Sequence, residues 1–436
     1  MRLVAASGWL LCRAAVVSFR GGLERLCGRE AFGSGGGMRV ALIHEALTVY
    51  GGAEKVLEEL MRMFPEAPVF VPLYEPSAFP ETFQKADIRA TWINRFPLVR
   101  RHPRALFPLY PLLMSSIDLS GYDLVISSSF NFAHNVVTPP ESCHVCYCHS
   151  PPRFLWDYNA YARREGFGVW KRRVVESMLP RLRSMDRAAA QGVDFWVSTS
   201  TLVEQRIRKT YRRRSTIIPP PVDVNEFKPG SGRGEYFLLL MRLVGWKRPD
   251  IAVKACSELG VKLIVAGDGR EMRHLKAIAG PSVEFVGRVD GEAKAELYRN
   301  CTALILTSVE DFGITPLEAM ASGRPVIALG EGGALDTVVP GETGELFDEQ
   351  TCESLKRALM HFNPERYDPA AIRRHAEIFD SRQFRTRLNS FLGRSIRLYS
   401  RRMSEAAVDE PHLAGSPEVS APEWQAEPRF PVRMRL

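Results

Sequence analysis

The sequence contains no run of 18 or more uncharged apolar residues, which excludes a membrane-spanning helix within it. It contains no Asp-x-Asp, so it offers no carboxylate pair of that spacing to hold Mg²⁺ or Mn²⁺, and no metal is expected. Its nearest approach to a dinucleotide loop is Val265-Ala266-Gly267-Asp268-Gly269-Arg270. Met272 stands where the third glycine of G-x-G-x-x-G belongs, which argues against an NAD site. Cysteine is sparse, with 8 in 436 residues. Six of them (Cys143, Cys146, Cys148, Cys256, Cys301 and Cys352) fall in apolar or helical stretches, the pattern of reduced cytosolic thiols rather than of a disulfide framework.

What is present is an ordinary soluble composition, 25% charged and 45% hydrophobic, over a length that implies two domains. The charge is uneven. Residues 38–228 carry 25 Lys and Arg against 19 Asp and Glu, whereas residues 229–436 carry 28 against 29. A basic N-terminal half suits an anionic partner: acidic lipid, a phosphorylated substrate or nucleic acid.

Residues 1–37 look foreign to any fold, with an apolar stretch broken at Arg13 and a Gly33-Ser34-Gly35-Gly36-Gly37 end. A targeting segment has this shape. The reading adopted is an upstream start, with Met38 the true beginning, because Arg39-Val40-Ala41-Leu42-Ile43-His44 opens at once as a buried strand. From there short apolar strands alternate with amphipathic helices. Strands are predicted at 40–43, 122–127, 144–149, 195–198 and 215–218, with a helix near 55–63. Gly230-Ser231-Gly232-Arg233-Gly234 reads as a linker. The alternation then restarts, with strands at 236–240, 262–266, 283–286, 303–307 and 325–329. Two such arrays predict an α/β protein of two doubly wound parallel sheets, an N-terminal domain over 38–228 and a C-terminal domain over 229–380. A further helix is predicted over 381–403, packing back on the N-terminal domain, and 404–436 read as a disordered tail.

The most informative stretch is Ser308-Val309-Glu310-Asp311-Phe312-Gly313-Ile314-Thr315-Pro316-Leu317-Glu318. Thr315 before Pro316 reads as an N-cap, and Glu318 would then complete a capping box by reaching back to the N–H of Thr315. Glu310 is left unexplained by that reading. A strand end, a glycine, a helix N-terminus and two carboxylates also make a pocket for a phosphorylated, hydroxyl-rich molecule. Arg242 and Lys247 follow the 236–240 strand and suit a diphosphate. Cys143-His144-Val145-Cys146-Tyr147-Cys148-His149 could suggest a metal. Strand alternation puts His144, Cys146 and Cys148 on one face, too nearly collinear to wrap a tetrahedral ion. His149, at the strand's end, is expected at an interdomain cleft.

Together these residues resemble the retaining glycosyltransferases of family four, which have the GT-B fold, over Met38 to about Met403. Glu310 and Glu318 match the family's E-x₇-E motif, Arg242 and Lys247 its phosphate-binding pair, and Gly51-Gly52 its N-domain glycine loop. Leu119–Ser129 and Cys146–Pro151 resemble the bacterial O-antigen branch, which uses GDP-mannose. The resemblance implies that Glu318 binds the nucleotide ribose and Glu310 the donor sugar. The N–H groups of Phe312, Gly313 and Ile314 would cradle sugar and distal phosphate, His149 would lie near the reacting side, and Val289 or Asp290 would lie by the nucleobase. It implies retention of anomeric configuration without a metal or other cofactor.

The expected activity is therefore transfer of a hexose, mannose from GDP-mannose first, to a lipid-diphosphate or glycan acceptor in cell-surface glycan synthesis. Arg95–Ile117, Lys171-Arg172-Arg173 and Arg181-Leu182-Arg183 mix basic and apolar residues. They suit peripheral attachment to an acidic membrane from the cytoplasmic side. A UDP-sugar donor and a nucleotide-sugar epimerase are the alternatives within the same fold. A nucleic-acid-binding protein is disfavoured, because the basic residues form no recognisable module and the pocket is acidic.

Overall fold

The computed structural model describes residues 37–101, 107–164, 168–230 and 232–408. Seven strands form the first sheet: β1 (Val40–His44), β2 (Val69–Val71), β3 (Ile88–Ala90), β4 (Leu124–Ser129), β5 (Cys143–Cys148), β6 (Phe195–Ser198) and β7 (Ser215–Ile217). Six form the second: β8 (Tyr236–Leu240), β9 (Leu263–Ala266), β10 (Val283–Gly287), β11 (Cys301–Leu306), β12 (Val326–Leu329) and β13 (Gly344–Phe347). All pairings are parallel, in the orders β3-β2-β1-β4-β5-β6-β7 and β10-β9-β8-β11-β12-β13.

The central strands are largely apolar because helices cover both faces; β4 and β5 are buried at every position, including Ser127, Ser128, Ser129 and His144. In each sheet the winding reverses once, between β1 and β4 and between β8 and β11. Splayed connections at such a reversal leave a crevice at the carboxyl ends of the strands. The two crevices face one another across a single cleft of about 1410 Å³. This is the two-domain GT-B architecture.

The helices that matter for the cleft are α1 (Gly52–Met63), α2 (Val169–Ala189), α3 (Thr201–Tyr211), α4 (Gly291–Asn300), α5 (Ile314–Ala321) and α6 (Ser381–Val408). The last begins beside the second domain, where Val222 bridges to Asp380. It then buries Phe384, Leu388, Phe391, Leu392 and Ile396 in the core of the first domain. Its Arg385 pairs with the buried Glu59 of α1.

Three sequence expectations change. Val222, Val224 and Phe227 belong to the second core, while Ile218 belongs to the first. The chain therefore crosses between domains at Pro219-Pro220-Pro221, not at 228/229. The glycine-rich segment lies inside the second domain, where the N–H of Gly230 bonds Ser322 O (3.0 Å) and Arg324 bonds Gly232 O (2.9 Å). The C-terminal helix continues to Val408, so residues 404–408 are helical rather than part of a disordered tail. Strands β2, β3 and β13, of three, three and four residues, were not foreseen. The predicted upstream segment (1–36) and the tail beyond 408 lie outside the described residues.

Candidate active site

The first wall of the cleft is built on β1 and β4. Glu45, just past β1, is buried and accepts hydrogen bonds from the N–H groups of Asn131 (2.8 Å) and Ala133 (2.9 Å). A carboxylate taking several backbone donors fixes the loop after β4 against the cleft. α1 starts at Gly52 with Gly51 as its cap, so its unpaired first-turn N–H groups open into the cleft. A Cβ on Gly52 would stand 3.2 Å from Cδ1 of Ile314, a residue of the opposite domain. The domains therefore meet at the two glycines.

His149 follows β5 at the cleft wall, with Nε2 2.8 Å from Ser128 Oγ and the rings of Phe130 and Tyr147 beside it. Desolvation, with His44 nearby, pushes its pKa down to about 3, so the imidazole is neutral near pH 7 and offers hydrogen bonding rather than charge. His144, Cys146 and Cys148 lie in β5 itself, fully packed, with His144 Nε2 2.9 Å from Ser127 Oγ. Among the described residues they form no ligand cluster; the one group of adequate proximity, Glu258, Cys352 and Glu353, lies outside the cleft. Lys356 already pairs with both of its carboxylates, at 2.7 and 3.2 Å.

The second wall rises from β8 and β11. Arg242 is exposed in the cleft, and no protein partner for its guanidinium is found among the described residues. Its loop is held by the turn after β9. There Gly267 and Gly269 take positive φ values (+135° and +159°), and any Cβ would strike the carbonyls of Met241 and Leu243. The Gly-Asp-Gly sequence thus serves backbone packing beneath Arg242, which accounts for it without a dinucleotide. Lys247 Nζ lies 3.0 Å from Glu310 Oε1 and 5.2 Å from the centroid of the Trp246 ring. Burial opposes ionisation of Glu310. Lys247 and the Ser308 hydroxyl outweigh it and hold the carboxyl below the usual carboxylate range.

α5 begins at Ile314, two residues earlier than the sequence suggests, with Gly313 as its cap at φ +92°. Only glycine adopts that angle without strain. Pro316 is consequently third in the helix, still within the turn whose N–H groups have no intrahelical partner. The capping-box expectation fails: no side chain caps this helix. The carboxylate of Glu318 is spent elsewhere. Oε1 accepts from Lys55 Nζ (2.9 Å) and Lys294 Nζ (3.0 Å), and Oε2 from the Tyr298 hydroxyl (3.0 Å). Burial again opposes the charge, and Lys55 and then Lys294 overcome it, so this carboxyl too is held low. Phe312 is buried against Phe379, and Val289 and Asp290 line the cleft where α4 starts.

All the residues singled out from the sequence, namely Gly51, Gly52, His149, Arg242, Lys247, Val289, Asp290, Glu310, Phe312, Gly313, Ile314 and Glu318, thus line one cavity. Sequence reasoning missed those that bind the walls together. Asp311 pairs with Arg206 of α3 and, at 3.6 Å, with Arg153, while its carbonyl accepts the Ser200 hydroxyl. Arg153 stacks on Trp246 at 5.5 Å. Lys55 and Lys294 were also missed, though a lysine one position after the Gly51-Gly52-Ala53-Glu54 turn was available as a signal.

The family models Glycosyltransferase Family 4 and Glycosyl transferases group 1 match residues 50–226 and 223–377. A GDP-mannose-dependent alpha-mannosyltransferase of Mycobacterium tuberculosis is 26% identical over 407 residues, 85% of this chain and 100% of the relative. A GDP-mannose-dependent alpha-(1-6)-phosphatidylinositol monomannoside mannosyltransferase of the same species is 29% identical over 215 residues, 42% of this chain. The match covers 56% of that relative's length. Among solved structures, a sucrose-phosphate synthase of Thermosynechococcus elongatus superposes with a TM-score of 0.63 at 18% identity, over 85% of this chain and 100% of its own. With the two halves of the chain matched in succession by these models, the chain belongs to the family 4 glycosyltransferases.

Proposed function

We propose that this glycosyltransferase moves mannose from GDP-mannose to a lipid-linked or polysaccharide acceptor, with retention of configuration and without a metal. The observation that carries this reading is the charge arrangement of the second wall. Among the described residues Arg242 has no protein partner in the cleft, and Lys247 lines the same cleft, while Glu310 and Glu318 are each already paired with lysine. Arg242, Lys247 and the first-turn N–H groups of α5 offset the charge of the departing diphosphate. Glu310 orients the sugar hydroxyls, and Glu318 takes the ribose. The leaving diphosphate oxygen accepts the acceptor's proton on the face it vacates, so neither glutamate acts as nucleophile. Catalysis then rests on positioning and on leaving-group stabilisation. The mannose assignment is supported by the two mannosyltransferase relatives.

An acidic membrane surface suits the apolar residues that the first domain leaves exposed: Trp92, Phe96, Leu109 and Leu112 on one segment, and Val169, Trp170 and Val174 at the start of α2. Among the described residues no helix is long and apolar enough to cross a membrane.

Thermal unfolding with GDP, UDP or ADP, with and without EDTA, tests the donor. A ligand at 100 times its Kd adds about 2.7 kcal/mol to stability. Stabilisation by GDP alone, indifferent to EDTA, is expected. A UDP-only shift overturns the mannose assignment, and no shift with any nucleotide overturns the donor-site reading itself.

A further inference from the structure

The contact between Lys55 and Glu318 joins the two domains at the residue assigned to the ribose. A carboxylate has about four lone-pair positions, two on each oxygen. Oε1 of Glu318 receives two ammonium groups and Oε2 receives the Tyr298 hydroxyl. One position therefore remains, whereas a vicinal diol donating both hydroxyls needs two. A donor nucleotide has to evict one of the three present occupants.

Their settings decide which one leaves. Tyr298 is fully buried, and the Lys294 side chain is 17% exposed and stands over the Phe227 ring at 5.1 Å. Both belong to the same domain as Glu318. Lys55 is 32% exposed, comes from α1 across the cleft, and is held by a long flexible stem. It is the occupant with least to lose. Glu226 and Glu58 also act on its charge. It sits in the first turns of α1, directly after the Gly51-Gly52 cap whose open N–H groups face the cleft.

We propose that Lys55 is a positioning residue that changes partners. It ties α1 to Glu318; when ribose takes Glu318, the freed ammonium turns to the donor's diphosphate, the new anion in the cleft. This rests on the donor-site reading above and adds to it a coupling. One of the contacts that join the domains is thereby replaced by one that joins them through the nucleotide, so the first domain senses whether a charged donor is loaded.

The test uses the whole chain and its Lys55→Gln variant, with affinity measured for a nucleoside and for its 5′-diphosphate, guanosine and GDP or uridine and UDP, whichever diphosphate binds the native protein. The two affinities should move in opposite directions. The nucleoside, which in the native protein must break the latch and gives nothing back, should bind the variant about 2–5-fold more tightly, the range of a partly exposed ion pair. The diphosphate should bind at least about 10-fold more weakly, as expected for a lost charge-assisted contact. Lys55→Arg should restore diphosphate affinity. Affinities that shift together, in either direction, or that do not change overturn the switch. Absence of any nucleotide binding by the native chain instead overturns the donor-site reading.

Discussion

Lys247→Ala and Arg242→Ala should both nearly abolish turnover, yet they should differ in every other respect. Each removes one cation from the leaving diphosphate, and loss of one such donor costs about 10²–10³ in rate. Their protein surroundings differ. Lys247 and Glu310 are 16% and 17% exposed and 3.0 Å apart, so removing the ammonium strands a mostly buried carboxylate with the Ser308 hydroxyl as its near partner. Truncating such a charge-assisted pair costs about 1–3 kcal/mol. At about 2–4 °C per kcal/mol for a domain of this size, the melting point should fall by roughly 2–12 °C. Arg242 is exposed and strands nothing, so Arg242→Ala should melt within about 2 °C of the native protein. The pH dependence should split the pair as well. Burial favours the neutral form of Glu310, and Lys247 is the strongest force against it. Without Lys247 the carboxyl pKa rises. Donor affinity of Lys247→Ala should therefore weaken as pH falls toward the ordinary carboxylate range, where the native protein and Arg242→Ala are still flat. Released nucleotide, calorimetric melting and a donor titration at several pH values read all three. Near-native turnover in either variant, or equal melting shifts in both, would refute the reasoning.

Two histidines, His144 in the core and His149 at the cleft wall, set an acid limit on stability. Burial, with His134 beside one and His44 beside the other, pushes both His144 and His149 down to about 3. The folded chain keeps them neutral, while the unfolded chain protonates them below about pH 6.5. Their contribution is present above 6.5 and is lost as pH falls toward 3. Between pH 6.5 and 5, above the range of most carboxylates, denaturant-measured stability should drop with a slope approaching two protons, and His149→Gln should remove one of them. A flat profile over that window contradicts the assignment. For the membrane face, sedimentation with acidic-lipid vesicles at low salt should carry the protein down, and Trp170→Ser with Trp92→Ser should weaken that binding several-fold. Failure of the native chain to bind such vesicles removes the membrane reading.

The parts of this fold that were legible are those where one physical requirement acts alone. A strand buried on both faces is largely apolar, so β1, β4, β5, β8 and β11 declared themselves within two residues of their ends. Strands β2, β3 and β13 did not, although the edge strands β7 and β10 were found. β3 is partly open along its length, with no residue of Ile88-Arg89-Ala90 buried, and three residues give no period to read. The linker was misplaced for a related reason. Glycine richness marks a backbone that must bend or be approached closely, and here the approach is by Arg324 and Arg299 within one domain rather than by solvent between two.

The site was legible residue by residue but not as a circuit. Glu310, Glu318, Arg242 and Lys247 could be named because strand ends and a helix start confine them to one edge. Lys55, a partner of Glu318, comes from 263 residues away, and no local pattern encodes such a meeting. The capping box failed for the same reason. Thr-x-x-Glu describes a local option, and Glu318 had a stronger distant one in two ammonium groups and a buried tyrosine hydroxyl. A backbone N–H in the first turn of α5 is thereby left without its side-chain acceptor, at the mouth of the cleft, where an anion can take it. The local rule is thus broken at the point where the molecule needs an open donor, and the residue that breaks it is drawn away by a charge from the other domain.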